Sequence, residues 1–409
     1  MAGQQSDRDR SWEAVQGVKF LKRLQPLLAR LRGVGCGRDR AGNRRLFFDD
    51  VCSLVLLTFF NPSVKSLRDL KAASRLKQVR QKLGCSEASL GSLSEALHVF
   101  DAQLLVEIIQ ELLGRLPDAP GADPRLQALA QVPTAVDGSL LLRLPQVTEA
   151  CFATRQDRGW KLHAHVEVLR EAAVRAAVTD ASGRGPASEK AVLAAALEAD
   201  RCYLVDRGYE QFALFNAIVA AGSSYVCRVR NDHQFTVDEV RPLSQEAVAA
   251  GVLADEVGRM GSPKSRRIEL PDHPQRRIVV RLVESPRRGG RRRAEATHEL
   301  ALATNLLDVP AEVVVLLYRF RWLVELFFRW LKCVLSCRHL VSQCENGVQI
   351  QMYCALIACL LIQLAAGRGV RPNQWTYKLL CLYVQGWADE EEVLAHLAER
   401  AAAENKRRG

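Results

Sequence analysis

The chain has 409 residues, of which 48% are hydrophobic and 25% charged, a composition that excludes disorder and allows two or three folded domains. Lysine and arginine total 57 against 46 aspartates and glutamates, so the formal charge of +11 favours a polyanionic partner. The 12 cysteines form no CxxC pair, which argues against a zinc site or a disulfide framework. The polar amino terminus lacks the apolar segment of a secretory signal, so we expect a cytoplasmic protein.

Residues 1–120 are predicted to form a helical domain. Apolar residues recur every three to four positions in segments 10–31, 47–60 and 93–113, the period of an α-helix. The middle of this domain is basic, and two interpretations remain open: a surface that binds DNA, or a solvated helix face. The basic side chains are those of Arg68, Lys71, Arg75, Lys77, Arg80 and Lys82.

In residues 130–230 the composition changes to short runs rich in β-branched and aliphatic residues, which are typical of strands. Helical periodicity separates the later runs, so the predicted order is βββαβαβ, a mixed α/β sheet. The predicted strands are 134–142, 161–169, 172–179, 202–206 and 225–229, and the predicted helices are 188–199 and 209–221.

Residues 231–307 are predicted to be a β-rich basic insertion, with extended runs at 266–270, 277–284 and 299–306. One turn of this insertion carries five arginines around a pair of glycines, which suits a flexible hairpin tip that touches phosphates. An exposed solubilising loop is the alternative. The arginines are Arg287, Arg288, Arg291, Arg292 and Arg293.

The remainder of the chain is predicted to be helical, first in residues 308–345 and then in C-terminal helices over 346–409. The most apolar segment, 350–366, is shorter than a comfortable membrane span and contains two glutamines, so we expect a buried core helix.

Within 308–345, a narrow polar stripe crosses an otherwise apolar and aromatic helix. At 100° per residue, five side chains fall within an arc of about 80°. Three cations around one carboxylate on a buried helix need compensation, which phosphates and divalent ions would supply. An ordinary surface face, with Glu325 paired at i±4, is the alternative. The stripe consists of Tyr318, Arg321, Glu325, Arg329 and Lys332.

Two upstream aspartates are candidates to join Glu325, because two-metal phosphoryl chemistry needs several converging carboxylates. Asp137 lies within the strand TAVDGSLLL, and Asp206 ends the apolar strand CYLVD. Taken singly, each has a simpler interpretation: Asp137 as a turn residue before Gly138, and Asp206 as the N-cap of the next helix.

These residues resemble the insertion-sequence-4 family of DDE transposases, whose signature is Tyr-(2)-Arg-(3)-Glu-(6)-Lys on a helix. Tyr318, Arg321, Glu325 and Lys332 match it without a gap. The segments AVDGS and LVDRGY resemble the two aspartate motifs of the family, and the β-rich insertion precedes the glutamate helix as it does there. The resemblance covers about residues 45–385.

The resemblance implies a ribonuclease-H-like catalytic core in which Asp137, Asp206 and Glu325 bind two Mg²⁺ ions, with Mn²⁺ able to substitute. It implies that the basic and tyrosine members of the stripe contact phosphates at the transposon end, and Arg329 stands where a further cation would help. The partner would be double-stranded DNA, held by a homodimer in a synaptic complex and associated with the bacterial nucleoid.

Some family members hold a flipped base on a tryptophan of the insertion. No tryptophan occurs between Asp206 and Tyr318, so Phe235 is the only stacking candidate we single out, and hairpin formation stays open.

The function predicted from the sequence is therefore a cut-and-paste DNA transposase that binds terminal inverted repeats, cleaves DNA and joins 3′ ends to a target. Two alternatives remain. The chain could be a catalytically inactive DNA-binding derivative or repressor, or a metal-dependent nuclease without strand transfer.

Overall fold

One nine-stranded mixed sheet runs through the chain, with strand order β3-β2-β1-β4-β5-β9-β8-β7-β6. The computed structural model describes residues 26–34, 44–61, 63–118, 123–141, 159–261, 270–284, 296–333, 340–366, 374–384 and 387–406. The strands are β1 Val132–Leu141, β2 Trp160–Glu167, β3 Ala172–Asp180, β4 Arg201–Val205, β5 Ser224–Val229, β6 Phe235–Val240, β7 Val252–Met260, β8 Gln275–Glu284 and β9 Ala296–Thr304.

Helices precede, connect and follow these strands. They are α1 Phe48–Phe60, α2 Leu67–Arg75, α3 Lys77–Leu83, α4 Leu90–Val99, α5 Leu104–Gly114, α6 Pro124–Gln127, α7 Glu189–Ala194, α8 Phe212–Ala220, α9 Gln245–Ala249, α10 Ala311–Phe320, α11 Trp322–Cys333, α12 Glu345–Ala366, α13 Gln374–Val384 and α14 Glu390–Lys406. The predicted α/β class and the predicted βββαβαβ order of 130–230 are therefore confirmed.

The first five strands place the first half of β1 beside β4. β1 pairs antiparallel with β2, which pairs antiparallel with β3, whereas β4 is parallel to both β1 and β5. Successive side chains of a strand point to opposite faces. Ala135 and Leu204 accordingly enter the core beneath α10 to α12, while Val136 and Val205 enter a second core with α7 and α8.

The insertion continues this sheet instead of forming a separate one, since β9 pairs antiparallel with β5, and β8, β7 and β6 follow outward in the sheet, each antiparallel to its neighbour. The predicted run at 266–270 lies, except for its last residue, outside the described residues. The sequence did not indicate β6, β7 or the short helix α9. The side chains of β6 are exposed except for the half-buried Phe235, and α9 buries only Ala247, so neither element shows apolar periodicity.

The long helix α12 packs against α1, α5 and β3. Its segment 345–364 is apolar enough and long enough to cross a membrane, yet 78% of the apolar stretch within it is buried inside the protein. The predicted core helix is thus confirmed.

The sequence predicted that the polar stripe lies on one continuous helix, and this prediction is wrong. The helix tightens at Arg321, whose N–H donates to the Tyr318 carbonyl at 3.1 Å, and the Val324 N–H donates back to the Arg321 carbonyl at 3.3 Å. These are i to i−3 hydrogen bonds, the tighter 3₁₀ pattern. Tyr318 therefore belongs to α10, and Glu325 and the residues after it belong to α11.

Candidate active site

Asp137 lies in the middle of β1, and Asp206 directly follows the neighbouring parallel strand β4. The register of β1 and β4 pairs Ala135 with Leu204, and each aspartate lies two residues further along its chain. Strands in parallel register advance together, so the two aspartates lie side by side where the pairing of β1 with β4 ends, at the C-terminal edge of β4. Crevices at that edge are where open α/β sheets bind ligands.

Both aspartates also make local hydrogen bonds: Asp206 has the capping role of its simpler interpretation, whereas Asp137 lies inside β1 and not in a turn. The Gly138 N–H donates to Asp137 Oδ1 at 2.7 Å. The Gly208 N–H donates to Asp206 Oδ1 at 2.7 Å, and Asp206 caps a single 3₁₀ turn, Arg207–Tyr209. Each bond holds one carboxylate oxygen and fixes the orientation of the group.

The edge of the sheet concentrates negative charge around Asp137. Burial raises the pKa of Asp137 to about 6, and the charges of Asp206 and Glu189 add to this rise. The Gly138 N–H and the Arg321 guanidinium act in the opposite direction. Proximity of like charges is a feature of sites that bind cations or move protons.

Arg321 connects Glu325 to Asp137. The guanidinium Nη2 donates to Glu325 Oε1 at 2.6 Å, and Nη1 lies 3.9 Å from Asp137 Oδ2. The i,i+4 pair expected of an ordinary helix face is therefore present. The same guanidinium, whose side chain is only 15% exposed, also faces the aspartate, so this cation lies between carboxylates of β1 and α11.

The other members of the stripe occupy different positions. Tyr318 is half-buried, with the Arg321 guanidinium carbon 6.0 Å from the centre of its ring, and burial raises its pKa. Lys332 donates from Nζ to Ser139 Oγ at 2.6 Å, which ties α11 to β1 two residues beyond Asp137. Arg329 is exposed.

The five arginines proposed for the hairpin tip lie outside the described residues. They are Arg287, Arg288, Arg291, Arg292 and Arg293. Phe235, the candidate for base stacking, has the Arg277 guanidinium 4.5 Å over its ring, so that cation already covers one face.

Sequence reasoning missed Glu189, which lies between the segments that follow both aspartates. A methyl group added at Gly138 would stand 2.7 Å from Glu189 Oε1, and one added at Gly208 would stand 3.6 Å from Glu189 Oε2. Lys161 of β2 pairs with Glu189 at 2.6 Å. Ser188 caps α7 and Glu189 follows in its first turn, so the sequence pattern at this position indicates only a helix start.

The oxygen-rich donor set suits a hard divalent cation such as Mg²⁺. Among the described residues, however, no group of three or more His, Cys, Asp or Glu side chains is arranged to hold a metal ion. The ammonium of Lys161 and the guanidinium of Arg321 instead hold the flanking glutamates, Glu189 and Glu325. The chemistry of the donors therefore fits a divalent ion, whereas the basic side chains currently balance the charge.

Comparison with known proteins decides the family. The family profile described as Transposase DDE domain matches residues 133–361, more than half of the chain. The chain belongs to this transposase family. The matched region begins within β1, ahead of Asp137, and ends within α12, so it contains all of the candidate site residues, including Glu325.

Two curated relatives are also transposases by name. The putative transposase y4zB of Sinorhizobium fredii is 25% identical over 291 residues, covering 64% of this chain and 76% of the relative. The probable transposase for insertion sequence element IS5377 of Geobacillus stearothermophilus is 25% identical over 209 residues, covering 50% and 49%. A solved piggyBac transposase synaptic complex with hairpin DNA aligns at a TM-score of 0.38 and 11% identity, covering 93% of this chain and 83% of the other. Membership of the family rests on the profile.

Proposed function

We propose that this transposase performs cut-and-paste transposition: it binds terminal inverted repeats, cleaves DNA by metal-dependent phosphodiester hydrolysis, and joins the 3′ ends to a target. The observation that carries the proposal is that Asp137 and Asp206 lie side by side where the pairing of β1 with β4 ends, with Arg321 linking Glu325 to Asp137. We assign the three carboxylates to the site that binds two Mg²⁺ ions, or Mn²⁺ in their place.

The bound ions would activate the attacking oxygen and stabilise the leaving one. The protein's own residues orient these groups. The hydrogen bonds from Gly138 and Gly208 fix the aspartates. Arg321 keeps the repulsion between Asp137 and Glu325 low before substrate binds, and it can then turn its donors to a DNA phosphate.

We assign the chain to the insertion-sequence-4 group and its core to the ribonuclease-H-like class. The support is the spacing of Tyr318, Arg321, Glu325 and Lys332, together with three antiparallel strands followed by two parallel ones. Tyr318, Arg321, Arg329 and Lys332 would contact the backbone of the transposon end. Lys332 is placed for this role by its hydrogen bond to Ser139, which lies on the same strand as Asp137.

The test compares the wild type with Glu325→Gln on a supercoiled plasmid carrying the element's own ends, in the presence of Mg²⁺. Cuts confined to the ends in the wild type, and absent from the variant although it still binds the ends, are the expected result. Binding without cleavage in both proteins would instead support the inactive DNA-binding derivative. Cuts without joined products would support a nuclease that lacks strand transfer.

The N-terminal helices carry a basic cavity that suits DNA backbone. Its volume is about 1270 Å³, and five cationic side chains line it against two acidic ones. Salt-dependent attraction of clustered cations for phosphates is the general basis of DNA binding. We propose that the N-terminal domain, residues 1–120, binds the transposon end at this cavity. The cations are Arg44, Arg45, Lys71, Arg75 and Arg80, and the acids are Glu87 and Glu95.

A pair of variants with equal charge change tests this surface. Lys71→Gln with Arg80→Gln should weaken binding of end DNA and reduce the slope of log affinity against log salt by about 0.9 for each phosphate that is no longer neutralised. Arg68→Gln with Lys77→Gln removes two exposed cations outside the cavity and should change binding less. Equal effects of the two pairs would argue against a specific surface.

We further propose that two protomers, one on each transposon end, form the active synaptic complex in the bacterial nucleoid. The insertion, 231–307, would contact DNA through its arginine-rich tip. Native mass spectrometry with and without end DNA tests the stoichiometry, since a complex of one protomer per pair of ends would contradict it.

A further inference from the structure

Glu189 reaches the edge of the sheet from the opposite side to α11. Its Oε1 lies over Gly138, directly after Asp137, and its Oε2 lies over Gly208, two residues after Asp206. Any side chain at Gly138 would collide with the glutamate or with Lys161 Cε, which is 2.8 Å from the added methyl position. The absence of a side chain at Gly138 thus leaves room for the Glu189 carboxylate beside the segment that carries Asp137.

An unpartnered hydroxyl points to a ligand at the same place. Tyr209 is 1% exposed, and its buried hydroxyl has no hydrogen-bond partner among the described residues. Burying a hydroxyl without a hydrogen-bond partner is unfavourable, so such a group in a native fold calls for an explanation. Burial raises the pKa of Tyr209 well above its usual value, and the charges of Glu189, Asp137 and Asp206 contribute to the rise. The hydroxyl therefore lies within electrostatic reach of all three carboxylates.

We propose that Glu189 is a fourth carboxylate of the site, which binds a divalent cation together with Asp137 and Asp206 when Lys161 releases it. The side chain of Glu189 is 25% exposed and that of Lys161 is 18% exposed, so the ammonium can turn toward solvent. A bound ion would bring water that could accept a hydrogen bond from the Tyr209 hydroxyl. This inference rests on the proposed metal-dependent function.

The experiment measures Mn²⁺ binding to the full chain without DNA, from the decrease of the electron paramagnetic resonance signal of free Mn²⁺. Glu189→Gln keeps the size of the side chain and should raise the Kd for Mn²⁺ about tenfold or more. Lys161→Met removes the competing cation and should lower the Kd. The matched control is Glu198→Gln, which also removes a salt-bridged carboxylate but lies beside Arg201 and Arg175, and it should bind Mn²⁺ like the wild type.

The outcomes separate the inference from the proposed function. Unchanged Mn²⁺ binding in Glu189→Gln, with binding abolished in Asp206→Asn, would overturn the role of Glu189 and leave the proposed function standing. Weaker binding in Lys161→Met would also overturn it, because Lys161 would then support the site instead of competing. A wild-type chain that binds no Mn²⁺ at millimolar concentration would overturn both proposals.

Discussion

Two clusters of charge in this protein are balanced in different ways. In the insertion, Arg276 and Asp255 are 3% and 4% exposed and share two hydrogen bonds of 2.7 and 2.6 Å. Arg276 also donates to the carbonyls of Leu306 and Val309. At the edge beside β1 and β4, by contrast, carboxylates crowd together, and a buried hydroxyl lacks a partner within the described part of the chain.

The difference separates a charge that holds the fold from charges that await a ligand. Arg276 joins β7 and β8 to the loop that precedes α10, and its polar contacts are complete, so nothing further is required there. At the other cluster the carboxylate charges and the buried hydroxyl are not fully compensated, which lowers the stability of the fold. Such a cluster is tolerated where a bound ligand supplies the missing partner. Stability measurements on the protein without metal can therefore distinguish the two.

The largest effect is expected from breaking the complete pair. Arg276→Met leaves Asp255 buried and unpaired, and should lower the free energy of unfolding by about 3–5 kcal/mol in urea denaturation. The matched control is Arg281→Met, also on β8. Its pair with Glu299 has both side chains 51% exposed, and removing it should cost less than about 1 kcal/mol. Equal destabilisation would show that the buried pair has no special structural role.

Removing both partners of the buried pair sharpens this comparison. Arg276→Met combined with Asp255→Leu should recover much of the stability that the single variant lacks, because no isolated charge remains in the core. The same urea titration measures it. A double variant no more stable than Arg276→Met alone would mean that the hydrogen bonds of Arg276 to the carbonyls of Leu306 and Val309, and not the ion pair, hold this region.

A smaller effect is expected from the carboxylate cluster, and it depends on pH. Because the pKa of Asp137 is raised to about 6 from 3.8, the folded chain holds a proton there that the unfolded chain has released between these values. Stability should therefore fall as the pH rises through this window and remain lower above it. Asp137→Asn should flatten that part of the profile of melting temperature against pH, in EDTA, and raise stability above pH 6 by about 1–2 kcal/mol. A variant with the wild-type profile would assign the dependence to another group.

The smallest effect is expected from the buried hydroxyl. Tyr209→Phe removes an unpartnered polar group and should leave stability unchanged or raise it by about 1 kcal/mol. The control is Tyr203→Phe, since the Tyr203 hydroxyl is also buried but accepts the Glu198 N–H at 2.8 Å, and its removal should cost about 1 kcal/mol. If Tyr209→Phe were the more destabilising of the two, its hydroxyl would have a partner in the folded chain without metal.

Much of this architecture could be predicted from sequence because it depends on local periodicity. The β-branched and aliphatic content of β1 to β5 predicted their order, the apolar period of α1 and α5 predicted helices, and the apolar content of α12 predicted a buried helix. The spacing of Tyr318, Arg321, Glu325 and Lys332, with the two aspartate motifs, predicted the residues now proposed for the site. Weakly patterned elements escaped, such as the exposed strand β6 and the one-turn helix α9.

By itself, the sequence determined which carboxylates were available and which segments carried them, because side-chain identity and short-range periodicity are properties of the chain. Only the tertiary structure decided that β1 and β4 lie in parallel register, that the helix tightens at Arg321, and that Glu189 lies over Gly138. Some of these relations are between residues that are far apart in the chain, such as Asp137 and Glu189. The others depend on packing between a helix and the sheet. No local pattern encodes them, since strand pairing and long-range packing are fixed only when the whole core forms.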